Sequence, residues 1–244
     1  MNKSLIAAAA VTFFAVAVHA EDAPSPLTAN LSLTTNYKFR GQDQSKTPGN
    51  FKPAIQGGVD YTFGGGFYVG NWNSSIGWLN GPAYPDNNSA NIEMDFYGGY
   101  KGEIVKDVAY DVGILEYAYP GAAFANTTEI YGGVSYSIAT LKYSHTVSKK
   151  YFGVLDARNT GYLDLAANYE VAKGLTLNGH VGYTSFSSDA KDNGAKNYTD
   201  YKVGLTYDLG SGFSVAGAYV GANKKSTYGD INKGRAILTI TKSM

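Results

Sequence analysis

Fourteen ionisable side chains share one property: each stands on the polar face of a stretch that alternates apolar and polar residues. They are Lys38, Arg40, Asp60, Glu93, Asp95, Asp111, Glu129, Lys142, Asp164, Glu170, His180, Asp200, Lys202 and Arg235. In a barrel whose other face meets lipid, these positions are pore-lining candidates. Fixed charges on an inner wall select permeating ions. Eight acids against five bases give a mild preference for cations. Opposite charges on neighbouring strands could instead pair and fill the interior, and the sequence leaves both outcomes open.

Catalysis finds little support in the same residues. The chain has no cysteine, which excludes thiol nucleophiles and disulfides. Its three histidines are His19, His145 and His180. His145 follows Ser144, but adjacent residues of a strand point to opposite faces and cannot form a nucleophile–base pair. His145 shares its register with Leu141 and Tyr143 near an outer rim. His180 lies with Asn178 on the polar face, as a hydrogen-bonding residue of the interior. No catalytic residue is expected, and the chain reads as a non-enzyme. Asp189, Asp192 and Asn193 lack the remaining ligands of a calcium loop, and Asp86-Asn87-Asn88 reads as a solvated turn. Gly64-Gly65-Gly66 is a tight connection, because no helix follows to make it a phosphate cradle. No metal or cofactor is expected.

The elements that position these residues are strands. Residues 27–40 alternate without a break: Leu27, Ala29, Leu31, Leu33, Thr35, Tyr37 and Phe39 against seven polar residues that end in Lys38 and Arg40. Side chains of a strand alternate between faces, so one face is apolar and one wet. Eleven further segments follow at 54–63, 67–73, 90–100, 108–117, 127–136, 138–146, 161–171, 175–184, 198–207, 213–221 and 235–242. Short connections alternate with long ones, as in transmembrane barrels with short periplasmic turns and long outer loops. Twelve strands put both termini in the periplasm. Outward aromatics gather near the short turns (Tyr61, Phe63, Tyr100, Tyr110, Tyr136, Tyr169, Tyr207, Phe213) and near the long loops (Tyr37, Phe39, Trp72, Tyr143, Tyr183, Tyr201, Tyr219). Such girdles mark the two interfaces of a membrane. A soluble β-sandwich or lipocalin-like barrel would instead use the apolar face as its core.

Residues 1–20 read as a cleaved export signal: Lys3, an apolar stretch from Leu5 to Val18, and the small-x-small site Val18-His19-Ala20. Residues 21–244 then form one barrel domain. Without Lys3 the chain has 19 basic and 20 acidic residues, which gives no electrostatic footprint for nucleic acid. Thirty glycines and 21 tyrosines are many for this length. Tyrosine suits a membrane interface, with an apolar ring and a polar tip.

Residues 27–136 carry the runs Tyr37-Lys38-Phe39-Arg40-Gly41, Pro53-Ala54-Ile55-Gln56-Gly57-Gly58, Gly66-Phe67-Tyr68-Val69-Gly70, Glu93-Met94-Asp95-Phe96-Tyr97-Gly98-Gly99-Tyr100, Tyr110-Asp111-Val112-Gly113, Pro120-Gly121 and Thr128-Glu129-Ile130-Tyr131-Gly132-Gly133-Val134-Ser135-Tyr136. On these residues the chain resembles the TorF-type porin family, most strongly over 27–136. The resemblance implies a Gram-negative outer-membrane barrel with a porin role, and neither a substrate nor a catalytic motif. Many such barrels end in an aromatic residue. This chain ends Lys242-Ser243-Met244, with Lys242 interrupting the outward register, so either recognition by the assembly machinery is weaker or the last residues extend past the barrel.

Together these readings give an all-β, antiparallel up-and-down barrel of twelve strands in the outer membrane. The expected function is a narrow pore for passive diffusion of small hydrophilic solutes. The alternative is a non-conducting structural or surface-interaction barrel. The expected partners are outer-membrane lipid and small hydrophilic solutes, with no nucleic acid and a monomer by default.

Overall fold

A computed structural model describes residues 25–80 and 88–244. The export signal and Asp86-Asn87 of the solvated turn lie outside the described residues. The twelve barrel strands are β1 (Leu27–Thr34), β4 (Ala54–Thr62), β5 (Phe67–Ser75), β6 (Ile92–Val105), β7 (Val108–Ala118), β8 (Thr127–Tyr136), β9 (Ala139–Thr146), β10 (Gly161–Ala172), β11 (Leu175–Ser185), β12 (Tyr198–Gly210), β13 (Phe213–Ala222) and β14 (Arg235–Ser243). Each pairs antiparallel with its neighbour in sequence, and β1 pairs with both β4 and β14, which closes the sheet. Closure leaves no unpaired edge, a requirement for a sheet in lipid.

The alternation predicted from sequence is the alternation of the wall. Leu31 and Leu33 face outward, about half exposed, while Thr34 is buried inside. Leu163, Leu165, Val181, Val203, Leu205, Leu238 and Ile240 continue the outward belt. The apolar face is therefore the outer surface and not a core, which removes the soluble sandwich. At the short-turn end Tyr61 meets Phe63 and Phe67 meets Tyr100, both with ring centroids 4.8 Å apart. At the other end Tyr201 stacks on Tyr219.

Glycine and tyrosine are abundant for a common reason. Inside the wall, Tyr68 reaches across Gly99 of the next strand and Tyr131 across Gly113. A Cβ at either glycine would lie 2.5 Å from the phenol oxygen. Tyr97 crosses Gly70 and Tyr162 crosses Gly182 in the same way. The missing side chain on one strand is the space that a ring on the next strand fills.

Three expectations about strand one and its surroundings need correction. The strand ends at Thr34 and not at Arg40. Residues 38–43 form a separate hairpin of β2 (Lys38–Phe39) and β3 (Gln42–Asp43), which pairs only with itself. Its two-residue turn, Arg40-Gly41, has φ of +46° and +75°. Positive φ at both positions is the signature of the tightest hairpin turn. The alternation ran on past Thr34 because a hairpin is also extended and two-faced. Secondly, Tyr37, Phe39 and Trp72 do not belong to the outer girdle. They pack in an interior cluster with Tyr117, Tyr119 and Leu79: Tyr37 and Phe39 because the chain after Thr34 folds into the barrel mouth, and Trp72 because it shares the inward parity of Tyr68 and Ser74 on β5. Thirdly, the last residues do not run past the barrel. Ser243 belongs to β14, and Met244 exchanges backbone hydrogen bonds of 2.8 and 2.9 Å with Ala29 across the closing seam.

Candidate functional site

The interior at the long-loop end is occupied by the β2–β3 hairpin, which touches the wall on several sides. At its tip, the Arg40 guanidinium donates to both carboxylate oxygens of Glu129 on β8, at 2.9 and 2.7 Å, and to the Tyr151 hydroxyl at 2.9 Å. The same group lies 4.1 Å from the centre of the Tyr162 ring on β10. Planar guanidinium suits this combination of two-pronged pairing and stacking. Burial works against the Arg40 charge, but Glu129 outweighs it, and the guanidinium is held well above its ordinary range. Gly41 sits against β12 and β13, where a Cβ would lie 2.6 Å from Asp200 Cβ and 2.7 Å from the Gly221 carbonyl. Only glycine fits both that gap and that backbone angle.

A second anchor lies at the hairpin's return strand. Asp43 accepts from Arg235 Nε on β14 at 3.2 Å and from Asn36 Nδ2 at 3.1 Å. Arg235 also donates to Asn50 at 2.9 Å. Lys38 donates to the carbonyls of Gly41 and Ile231. Burial pushes the Lys38 amine down to about 8, against the pull of Asp43 and together with the push of Arg235. On the entering side, Tyr37 and Tyr119 each donate to Glu93 on β6 at 2.6 Å. Burial, then the Glu93 charge, raises both phenols well above their ordinary range, so both remain donors. Phe39 completes the seal, with ring centroids 5.4 Å from Tyr117 and 5.3 Å from Phe152.

Further from the hairpin, the wall carries chains of hydrogen bonds. Tyr97 donates to Asp60 at 2.6 Å. Tyr68 is 2.5 Å from both Asp111 and the Tyr131 hydroxyl. Lys142 stands 3.8 Å from the centre of the Tyr131 ring. His180 lies between two carboxylates, with Nδ1 2.7 Å from Asp164 and Nε2 2.8 Å from Asp200.

Of the fourteen candidates, Lys38 and Arg40 are on the hairpin and not on the first barrel strand. Glu129 and Arg235 meet hairpin residues directly, Glu93 holds Tyr37 at the hairpin's entry, and Asp200 backs Gly41. Asp95 is buried beside this group, and one of its oxygens has no hydrogen-bond partner among the described residues. Asp60, Asp111, Lys142, Asp164, His180 and Lys202 face inward along the strands. Glu170 departs from the rest: it is exposed at the short-turn end and caps the Gly174 backbone amide. Asp43, Tyr68, Tyr97, Tyr131 and Tyr162 are interior residues that sequence reasoning missed. The tyrosines were legible, since Tyr97 shares the parity of Asp95, and Tyr131 that of Glu129. Asp43 was not, because nothing in its neighbourhood alternates.

A family model described as bacterial protein of unknown function (Gcw_chp) matches residues 19–243. Outer membrane porin C of Rahnella aquatilis is 31% identical over 108 residues, which is 44% of this chain and 30% of that protein. The chain thus matches under a third of that relative's length. Among solved structures, the KdgM porin aligns with a TM-score of 0.58 at 9% identity, over 89% of this chain and 99% of that one. The NanC porin aligns with a TM-score of 0.56 at 10% identity, over 88% and 97%. At such identities the likeness concerns the barrel alone.

Proposed function

We propose that this chain, which belongs to the Gcw_chp family of bacterial proteins of unknown function, is an outer-membrane porin for small hydrophilic solutes. The observation that carries this reading is the pairing of an outward apolar belt with an inward wall of hydrogen-bonding and charged groups in a closed barrel. The partial identity to an outer membrane porin and the fold of the KdgM and NanC porins support it. So does the resemblance to the TorF-type porins over residues 27–136. In this reading residues 1–20 are a cleaved export signal, the short turns face the periplasm, and the long loops face outward. The solute meets the hairpin first and then the chain of Tyr68, Asp111, Tyr131 and Lys142. About eight strands give a filled barrel and 16 or more an open channel, so twelve leave a narrow path that one inserted hairpin constricts. The test is conductance: purified, folded protein in planar bilayers gives discrete current steps, and a sealed bilayer at all voltages overturns the reading.

The non-conducting alternative draws on one specific observation. Arg40–Glu129 and Arg235–Asp43 cross between hairpin and wall as buried ion pairs, and a permanently seated hairpin would make a stopper. Loop variants that lose surface attachment while permeability stays unchanged would favour it.

A further inference from the structure

We infer that the β2–β3 hairpin is a movable gate, latched by Arg40, rather than a fixed constriction. The inference rests on the porin reading above. Three observations carry it. First, the hairpin pairs through Lys38–Asp43 and Phe39–Gln42 with itself, and with no barrel strand. Among the described residues its backbone is tied at its base: Thr35 donates to Leu238, Lys52 to Thr35, and Gly77 and Trp78 to Gln44. The hairpin can therefore leave the mouth as a unit without breaking a strand-to-strand backbone hydrogen bond of the wall. Secondly, it is held by side chains: the Arg40–Glu129 pair at its tip, the Asp43–Arg235 pair on its return strand, and the hydrogen bonds of Lys38 to the Ile231 carbonyl and of Gln42 to Asn232. These are discrete contacts that are either made or broken, which suits a two-state element. Thirdly, Arg40 holds a left-handed backbone angle, φ +46°, that a non-glycine residue rarely adopts. Strain of this kind persists only where the surroundings impose it. Here the hairpin's own two-residue turn imposes it, and an arginine rather than a small residue stands at that turn because Glu129, Tyr151 and Tyr162 receive its side chain.

Single-channel recording separates a gate from a narrow passage. Arg40→Gln leaves Glu129 without its partner in the closed state. It is expected to raise the fraction of time open by roughly tenfold or more, with the current through each open channel unchanged. Asp43→Asn, which weakens the second anchor, moves the dwell times in the same direction and serves if Arg40→Gln fails to fold. Replacement of residues 37–44 by a short glycine linker gives a channel that stays open. If the substitutions alter the current per channel and leave the dwell times as they were, the hairpin is a fixed constriction, and the gate is overturned while the pore stands. If the linker variant folds, shown by its retained heat-modifiable gel mobility, and still carries no current, the porin reading falls and the gate with it.

Discussion

Arg40 and Glu129, 89 residues apart in the chain, meet inside the barrel in a two-pronged ion pair whose shorter arm is 2.7 Å. Both side chains are almost fully withdrawn from solvent. Breaking such a pair from one side leaves a buried charge and costs about 3–5 kcal/mol, whereas replacing both partners by apolar groups is often close to neutral. Glu129→Gln should therefore release the hairpin, and trypsin should cut after Lys38 about a hundredfold faster or more, since cleavage tracks the open population. The double variant Arg40→Met/Glu129→Leu should return the rate most of the way to that of the unchanged protein. A double variant cut as fast as the single one would show that the pair, and not the space it fills, holds the hairpin.

Gly41 makes a second prediction of the same element by a different cause. Valine there must adopt φ +75° and place a Cβ within 3 Å of Asp200, the Gly221 carbonyl and Ala222. Left-handed backbone alone costs a β-branched residue on the order of 1–2 kcal/mol, and the clash with a backbone carbonyl cannot be relieved by a rotamer. Gly41→Val should expel the tip and expose Lys38 to trypsin, with the heat-modifiable gel mobility of the barrel retained. Protection equal to that of the unchanged protein would mean that the wall, not the hairpin, yields.

The strands were legible because a wall between lipid and interior imposes one rule at every residue. Segments 54–63, 127–136 and 161–171 fall within a residue of β4, β8 and β10, since a one-residue slip would turn every side chain to the wrong medium. The hairpin obeys no such rule. Residues 35–37 keep the alternation of β1 while the chain leaves the wall, so parity alone placed Tyr37 and Phe39 outside. The turn was hidden as well: Ser211-Gly212 and Arg40-Gly41 both have two positive φ angles, but arginine at such a turn is unusual, and only its partners across the barrel account for it. The same distance in sequence concealed Asp43–Arg235, whose partners are 192 residues apart.

The tyrosines of the wall give a third prediction. Tyr68 holds Asp111 and Tyr131 together, and its ring occupies the space over Gly99. Tyr68→Phe keeps the ring and removes the hydroxyl, leaving Asp111 short of a donor, at about 1–3 kcal/mol. Gly99→Val keeps the hydroxyl but drives a Cβ into it and into the Val112 carbonyl. Urea unfolding of the barrel in detergent should show a lowered midpoint for both, with the valine the more damaging. An unchanged midpoint for Tyr68→Phe would mean that water replaces the phenol without loss.

Lys38 gives the mouth a pH dependence. Burial, opposed by Asp43 and aided by Arg235, lowers its amine from 10.5 to about 8. The folded protein therefore loses this proton well before the unfolded chain does. Between about 8 and 10.5 the unfolded chain binds more protons, so the contribution of Lys38 to stability rises with pH across that window. Below it, both states are protonated, and the charged amine weakens the seat of the hairpin. The same titration removes one positive charge from the mouth as pH rises through about 8. Fixed charge at a constriction sets ion selectivity, so the cation-to-anion permeability ratio should climb over that interval. Reversal potentials in a salt gradient, taken from about pH 6.5 to about pH 9.5, measure the ratio across the range where a lowered lysine titrates. Lys38→Met should hold the ratio at its high-pH value throughout. If Lys38→Met keeps the same climb, another group titrates at the mouth, and the charge of Lys38 does not face the permeating ions.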